Sequence, residues 1–186
     1  MAAEIRVLPN RGWDIAPFLV GFADRIREHS ILLRLHSKRS LHIPSDIGAH
    51  WRHTLFNILA GSRGRTQGIM RAFAHNPELG IVCAPHAAFW KNCVHFGGNY
   101  VRMEQILSRL GITIRPDLPI DFPMSSMFWC RRLVLEPWLE MQLRFEDFEP
   151  TLPETRDQTL AHSMEGLFFF GCGITGHCWT RLPMPR

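Results

Sequence analysis

Short apolar runs bounded by turn residues, alternating with helical stripes, constrain this chain more than any other feature. "ILLRL" (31–35), "LGIVCAP" (79–85) and "SSMFWCRR" (125–132) read as strands, the first leaning apolar on both sides as a strand inside a sheet does. "EIRVL" (4–8) reads as a further short strand, almost at the first residue. Between them lie segments of helical period. Ile15, Phe18, Leu19, Phe22 and Ile26 form one stripe, with Pro17 tolerated in its first turn. Residues 50–61 and 62–78 give two helices parted at Gly61, the second capped by Ser62 and stopped before Pro77. Residues 99–111 give another, with Gly111 as the left-handed residue after its end. "LVLEPWLEMQLRF" reads as a helix interrupted or begun near Pro137, and a last one starts about Asp157, burying Leu160, Met164, Leu167 and Phe168. Strands alternating with helices predict an α/β fold, a mainly parallel sheet flanked by helices. At 186 residues the chain fills one core, so residues 1–186 are expected to form a single domain.

Composition excludes several classes. With 46% hydrophobic and 20% charged residues the chain is neither disordered nor low in complexity. No apolar run approaches the length of a bilayer span, which predicts a protein with no transmembrane segment, peripheral to a membrane at most. Five scattered cysteines without a C-x-x-C pair fit reduced thiols and a cytoplasmic setting. Cys172, His177 and Cys178 have the look of half a metal site, but no second half of matching spacing exists. The net charge of +4 permits phosphate binding without demanding it. Neither an RNP-type aromatic motif nor a zinc-finger spacing is present, so nucleic acid is not an expected partner.

The first of these strands runs into His36, Ser37, Lys38, Arg39, Ser40 and His42. In open α/β sheets ligands bind beyond the carboxyl ends of strands, and a loop of hydroxyls, imidazoles and cations suits an anion. Upstream, the turn Asn10, Arg11, Gly12 to Asp14 adds a cation and a glycine that lets backbone approach a ligand. Asp14 is suited either to cap the following helix or to accept from a ligand hydroxyl.

The stretches "PNRGWDIAPFL", "LLRLHSKRS", "AFAHNPELGIV", "FGGN", "FPMSSMFWCRR" and "PETRDQTLAHSMEGL" occur in the order found in the rhamnan synthesis F family, which this chain resembles from Pro9 to about Gly176. The resemblance implies a GT-A-like glycosyltransferase domain entered near its third strand, without the βαβ unit that opens such a domain. It implies a nucleotide-sugar donor of the dTDP-rhamnose type, a glycan acceptor, and a role in building surface polysaccharide. Where most GT-A enzymes hold a divalent metal with a D-x-D motif, this chain has His36, Ser37 and Lys38, so no metal is expected from such a motif. Lys38, Arg39 and Arg11 are expected to neutralise the departing diphosphate directly, with Asn10, Gly12, Asp14, His36 and Ser37 completing the donor side.

For the proton transfer that glycosyl transfer needs, the resemblance points first to Asp157, then Glu154, with His162 nearby; Asp157 reads equally as a helix cap. Ser126 and Trp129 are the expected acceptor-side residues, although an aromatic in a strand commonly belongs to the core. The family pattern closes with Glu-Arg, whereas here Glu165 is followed by Gly166. A non-catalytic binding or scaffold module of a polysaccharide-synthesis assembly, docked on another protein of that pathway, is the alternative, and a nucleic-acid binder built on the Arg63–Arg71 helix is a third reading.

Overall fold

A computed structural model describes residues 3–37, 45–86, 94–152 and 157–184. Among these residues four strands form one sheet in the order β1-β3-β2-β4: β1 is Ile31–Arg34, β2 Leu79–Cys83, β3 Phe128–Arg131 and β4 Cys178–Arg181. The α/β class is as expected, but the sheet is mixed rather than mainly parallel. β3 runs antiparallel to both of its neighbours, pairing Leu33 with Trp129 and Val82 with Trp129, and only β2 and β4 pair in parallel. The strand–helix alternation carries β1, β2 and β4 in one direction. β3 is reached through the irregular stretch 109–127, which enters the sheet from the opposite end and separates β1 from β2.

Among the described residues the α-helices are α1 (Ala23–Glu28, preceded by a π-helical turn at Pro17–Gly21), α2 (Ser45–Ala60), α3 (Arg63–His75), α4 (Tyr100–Ser108), α5 (Glu136–Leu139) and α6 (Leu160–Ile174). Ser62 caps α3 as its position predicts, accepting the Arg65 N–H at 3.2 Å. At Gly111 the Leu107 carbonyl receives Ile112 N–H and the Ser108 carbonyl receives Gly111 N–H, each at 3.0 Å, the paired bonds of a Schellman end. α6 starts at Leu160, not at Asp157. Its cap is Thr159, whose hydroxyl accepts the His162 N–H at 3.3 Å.

The strand period divides the core between the two faces of the sheet. Ile81, Cys83, Phe128 and Cys130 face α4, α5 and α6, where Leu167 and Phe168 are fully buried. Val82 and Trp129 face α2 and α3, against Leu55, Leu59 and Phe73. "EIRVL" is not a strand. Residues 3–9 are extended without a ladder and are held by side chains: the Arg6 guanidinium donates to Gly21 O and Asp24 Oδ1 at 2.7 Å each, and Leu8 covers Gly21. Ile5 and Val7, 89% and 99% exposed, face away from the body.

Candidate functional site

The turn Asn10–Asp14 is fixed from below by the segment 148–151. Gly12 N–H donates to Glu149 O at 3.1 Å, Arg11 Nε to Phe148 O at 2.8 Å and Trp13 N–H to Thr151 Oγ1 at 3.1 Å. Gly12 is required there: its φ is +66°, and a Cβ would stand 2.6 Å from both Ala16 Cβ and the Phe148 ring. The next residue, Trp13, also has positive φ (53°) and sets its indole edge-on to the His162 ring, 6.1 Å between centroids.

The turn delivers Asp14 to the end of β1. Arg34, only 5% exposed, donates to the Asp14 carboxylate at 2.5 Å, to the Asp14 carbonyl at 2.9 Å and to the Ser126 carbonyl. Its guanidinium lies 4.7 Å from the Phe18 ring centroid, with Phe128 and Phe168 beyond, so a charge inside the core is paid for by one carboxylate and three aromatic faces. His36 Nε2 donates to Ser125 O at 2.7 Å and stands 3.5 Å from Asp14 Oδ2.

Ser125 and Ser126, both buried, have φ of 73° and 52°. Two consecutive non-glycine residues in the left-handed region cost energy that the surroundings must cover. Here they do so by bonding: Ser125 Oγ accepts from Trp51 Nε1 at 3.1 Å, and Ser126 Oγ donates to Glu165 Oε1 at 2.8 Å. Glu165 and His162, three apart, share a face of α6.

Beside them, Asp157 clasps the segment 97–99. Its Oδ2 accepts Gly98 N–H at 2.9 Å and its Oδ1 accepts from Asn99 Nδ2. Burial pushes its pKa up, but the N–H groups of Gly98 and Gln158, the Asn99 amide and the charge of His162 outweigh that and hold it below the usual carboxylate range. Glu149 is fixed likewise: Arg102 donates to one oxygen at 2.5 Å and Leu160 N–H to the other at 2.9 Å. Its pKa is also depressed, these bonds prevailing over burial.

The fold therefore brings Arg11, Gly12, Asp14, His36, Ser126, Asp157 and His162 around the amino-terminal half of α6 and the end of β1. Asn10 sits at the same turn, its carbonyl accepting Thr151 N–H at 3.2 Å, and Ser37 is exposed, its carbonyl accepting from Arg52 at 3.1 Å. Trp129 is not among them. Its indole donates to Leu59 O at 2.9 Å, on the opposite face of the sheet, because it alternates with Phe128. Lys38, Arg39 and Glu154 lie outside the described residues. Sequence reasoning missed Arg34, Asn99 and Glu165 as members of the site. A signal existed for Arg34, a lone charge inside an apolar strand, which must find a buried partner.

Among the described residues no group of three or more His, Cys, Asp or Glu side chains has the arrangement to hold a metal ion. Cys83, Cys130 and Cys172 are buried free thiols, Cys178 an exposed one, and His177 is paired with Thr175 Oγ1 at 2.9 Å.

The family model described as Rhamnan synthesis protein F matches residues 1–172. Two curated relatives, each called uncharacterized protein WxcX and coming from Xanthomonas campestris pv. campestris strains B100 and ATCC 33913, are 35% identical over 179 residues. The alignment covers 94% of this chain and 24% of either relative, so the chain spans about a quarter of their length. No solved structure matches.

Proposed function

The chain belongs to the rhamnan synthesis protein F family, whose role is in polysaccharide synthesis, and from that premise we propose that it is a GT-A-like glycosyltransferase domain taking a nucleotide-sugar donor of the dTDP-rhamnose type. The observation that carries this reading is the convergence of the Asn10–Asp14 turn, the end of β1, the left-handed serine pair and the start of α6, segments up to 150 residues apart in sequence, on one corner where backbone cost is concentrated.

In this proposal the diphosphate meets cations rather than a D-x-D-bound metal. Arg11, Lys38 and Arg39 supply charge and His36 and Ser37 supply polar contacts, neutralising the leaving group as the bond to the sugar breaks. Asp14 is assigned to accept from a base or ribose hydroxyl, a role its 32% side-chain exposure beside Arg34 supports. Ser126 is assigned to the acceptor side. A glycan acceptor, and contact with another polysaccharide-synthesis protein, belong to the same proposal, as does a cytoplasmic setting where nucleotide sugars are met; among the described residues no helix is long and apolar enough to cross a membrane.

Thermal unfolding in thymidine diphosphate tests it. At about a hundred times Kd the melting temperature is expected to rise by roughly 5–10 °C, and Lys38→Ala to remove most of the rise. An unchanged curve at saturating nucleotide removes the reading. The second reading, a non-catalytic module of an assembly, is favoured by the unpaired segment 3–9 and its outward Ile5 and Val7. It predicts no response to nucleotide.

A further inference from the structure

We infer that Glu165 is the base that takes the proton from the attacking hydroxyl, with Ser126 orienting it; the inference rests on the transferase reading above. Four described carboxylates border the corner, and three are committed. Asp14 is paired with Arg34, a guanidinium that keeps its proton at any working pH. Glu149 has both oxygens bonded, one by Arg102 and one by Leu160 N–H. Asp157 has both bonded by the 97–99 segment. A carboxylate stabilised this way in its charged form is a poor proton acceptor. Glu165 differs: among the described residues Ser126 Oγ, at 2.8 Å from Oε1, is its hydrogen-bond donor, no cation is paired with it, and Oε2 is uncommitted.

Its orienting partner is rigid. Ser126 is 2% exposed, its φ is 52°, its carbonyl is held by Arg34 and its hydroxyl donates to Glu165 Oε1. His162, one turn earlier on the same helix, is held by Thr159, whose hydroxyl accepts the His162 backbone N–H and stands 2.7 Å from Nδ1. In the step, the acceptor O–H bond breaks and its proton passes to Glu165. The oxygen lone pair bonds the anomeric carbon, and the bond from that carbon to the diphosphate oxygen breaks, its electron pair leaving with the nucleoside diphosphate. Water as acceptor gives the same balance.

The test measures release of thymidine diphosphate from dTDP-rhamnose by the purified chain, with water as acceptor, alongside calorimetric titration of thymidine diphosphate. For Glu165→Gln, the diphosphate Kd stays within about twofold of wild type while release falls roughly a hundredfold or more, and the acid limb of the kcat–pH profile disappears. For Ser126→Ala, kcat for release falls about tenfold while KM and the diphosphate Kd stay within about twofold of wild type, because the carboxylate loses the donor that orients it. Release by Glu165→Gln within threefold of wild type with the limb intact, or loss of release in Glu154→Gln alone, overturns the assignment while leaving the transferase reading standing. Should Glu165→Gln not fold, an unchanged kcat in Ser126→Ala overturns it instead. A wild-type chain that neither binds the diphosphate nor releases it overturns both.

Discussion

At the scale of single residues, Arg34 decides most about this corner. It ties Asp14 to Ser126 across two segments that share no ladder, inside a ring of Phe18, Phe128 and Phe168. Arg34→Met removes the guanidinium that donates to Asp14 and to the Ser126 carbonyl. The expected loss is about 3 kcal/mol, the lower end for a broken buried pair because water reaches the Asp14 carboxylate; a urea midpoint unchanged from wild type would contradict it. Gln142 offers the reverse case. It is exposed, follows α5 and has a φ of 52°, a conformation glycine adopts at no steric cost. Gln142→Gly is expected to stabilise the protein by about 0.5–1 kcal/mol in the same measurement, the strain relieved exceeding the entropy added to the unfolded chain. The sequence made the Asn10–Asp14 turn and the polar end of β1 legible, since glycine and a cationic loop are local signals. Glu165 was not legible as a partner of Ser126, because 39 residues separate them and only the packing of α6 against the turn before β3 joins them.

At the scale of elements, two of the three glycines of α6, Gly171 and Gly166, have surroundings that differ. A Cβ at Gly171 would stand 2.2 Å from the backbone oxygen of Val134 and 2.8 Å from Trp138 Nε1. Backbone cannot step aside without moving the turn at 132–135, so Gly171→Ala is expected to cost roughly 2–4 kcal/mol. At Gly166, which takes the place of the family pattern's Arg, a Cβ would meet only the flexible tip of Met103, at 2.9 Å. There the strain is offset by the better helix propensity of alanine, and Gly166→Ala is expected to stay within about 1 kcal/mol of wild type. Chemical denaturation of the pair checks the contrast, and equal losses would refute it. Helices and strands were read correctly wherever a period ran unbroken, as in α3 and β2. The direction of β3 was not, since a strand's sequence does not say from which end its connection enters. Residues 3–9 misled for a related reason: an alternating pattern describes a strand only when a neighbour offers a ladder. The start of α6 was misplaced because Asp157 and Thr159 are both capping residue types, and the tertiary clasp on the 97–99 segment claimed the aspartate.

At the scale of the whole molecule, ionisable groups pin irregular segments to the layers. Asp121 accepts from His86 at 2.9 Å and from Arg181, fastening the long connection before β3 to the ends of β2 and β4. Burial raises its pKa, but those bonds prevail and hold it down, as at Glu149 and Asp157. A carboxyl depressed in the folded state contributes stability that is present above its unfolded value, near pH 4, and is lost as pH falls through the folded one. The buried thiols act at the other end: burial pushes Cys83 and Cys172 up to about 12, so their contribution is complete below about pH 9 and fades as pH rises toward 12. Stability is therefore expected to be flat between about pH 5 and 8.5 and to decline on both sides, with Asp157→Asn softening the acid decline. Urea midpoints across that range would show it, and an acid limb unaltered in Asp157→Asn would argue against the clasp. Of the five non-glycine residues at positive φ among those described, Trp13, Ser125, Ser126 and Gln158 all belong to segments around the corner. An engineer seeking hardier versions would be drawn to those four positions first, and each substitution that relaxed one would slacken the grip on Asp14, Glu165 or Asp157. A screen for heat tolerance run beside a screen for turnover would thus trace the corner's outline by itself, as the set of positions where the two qualities pull apart.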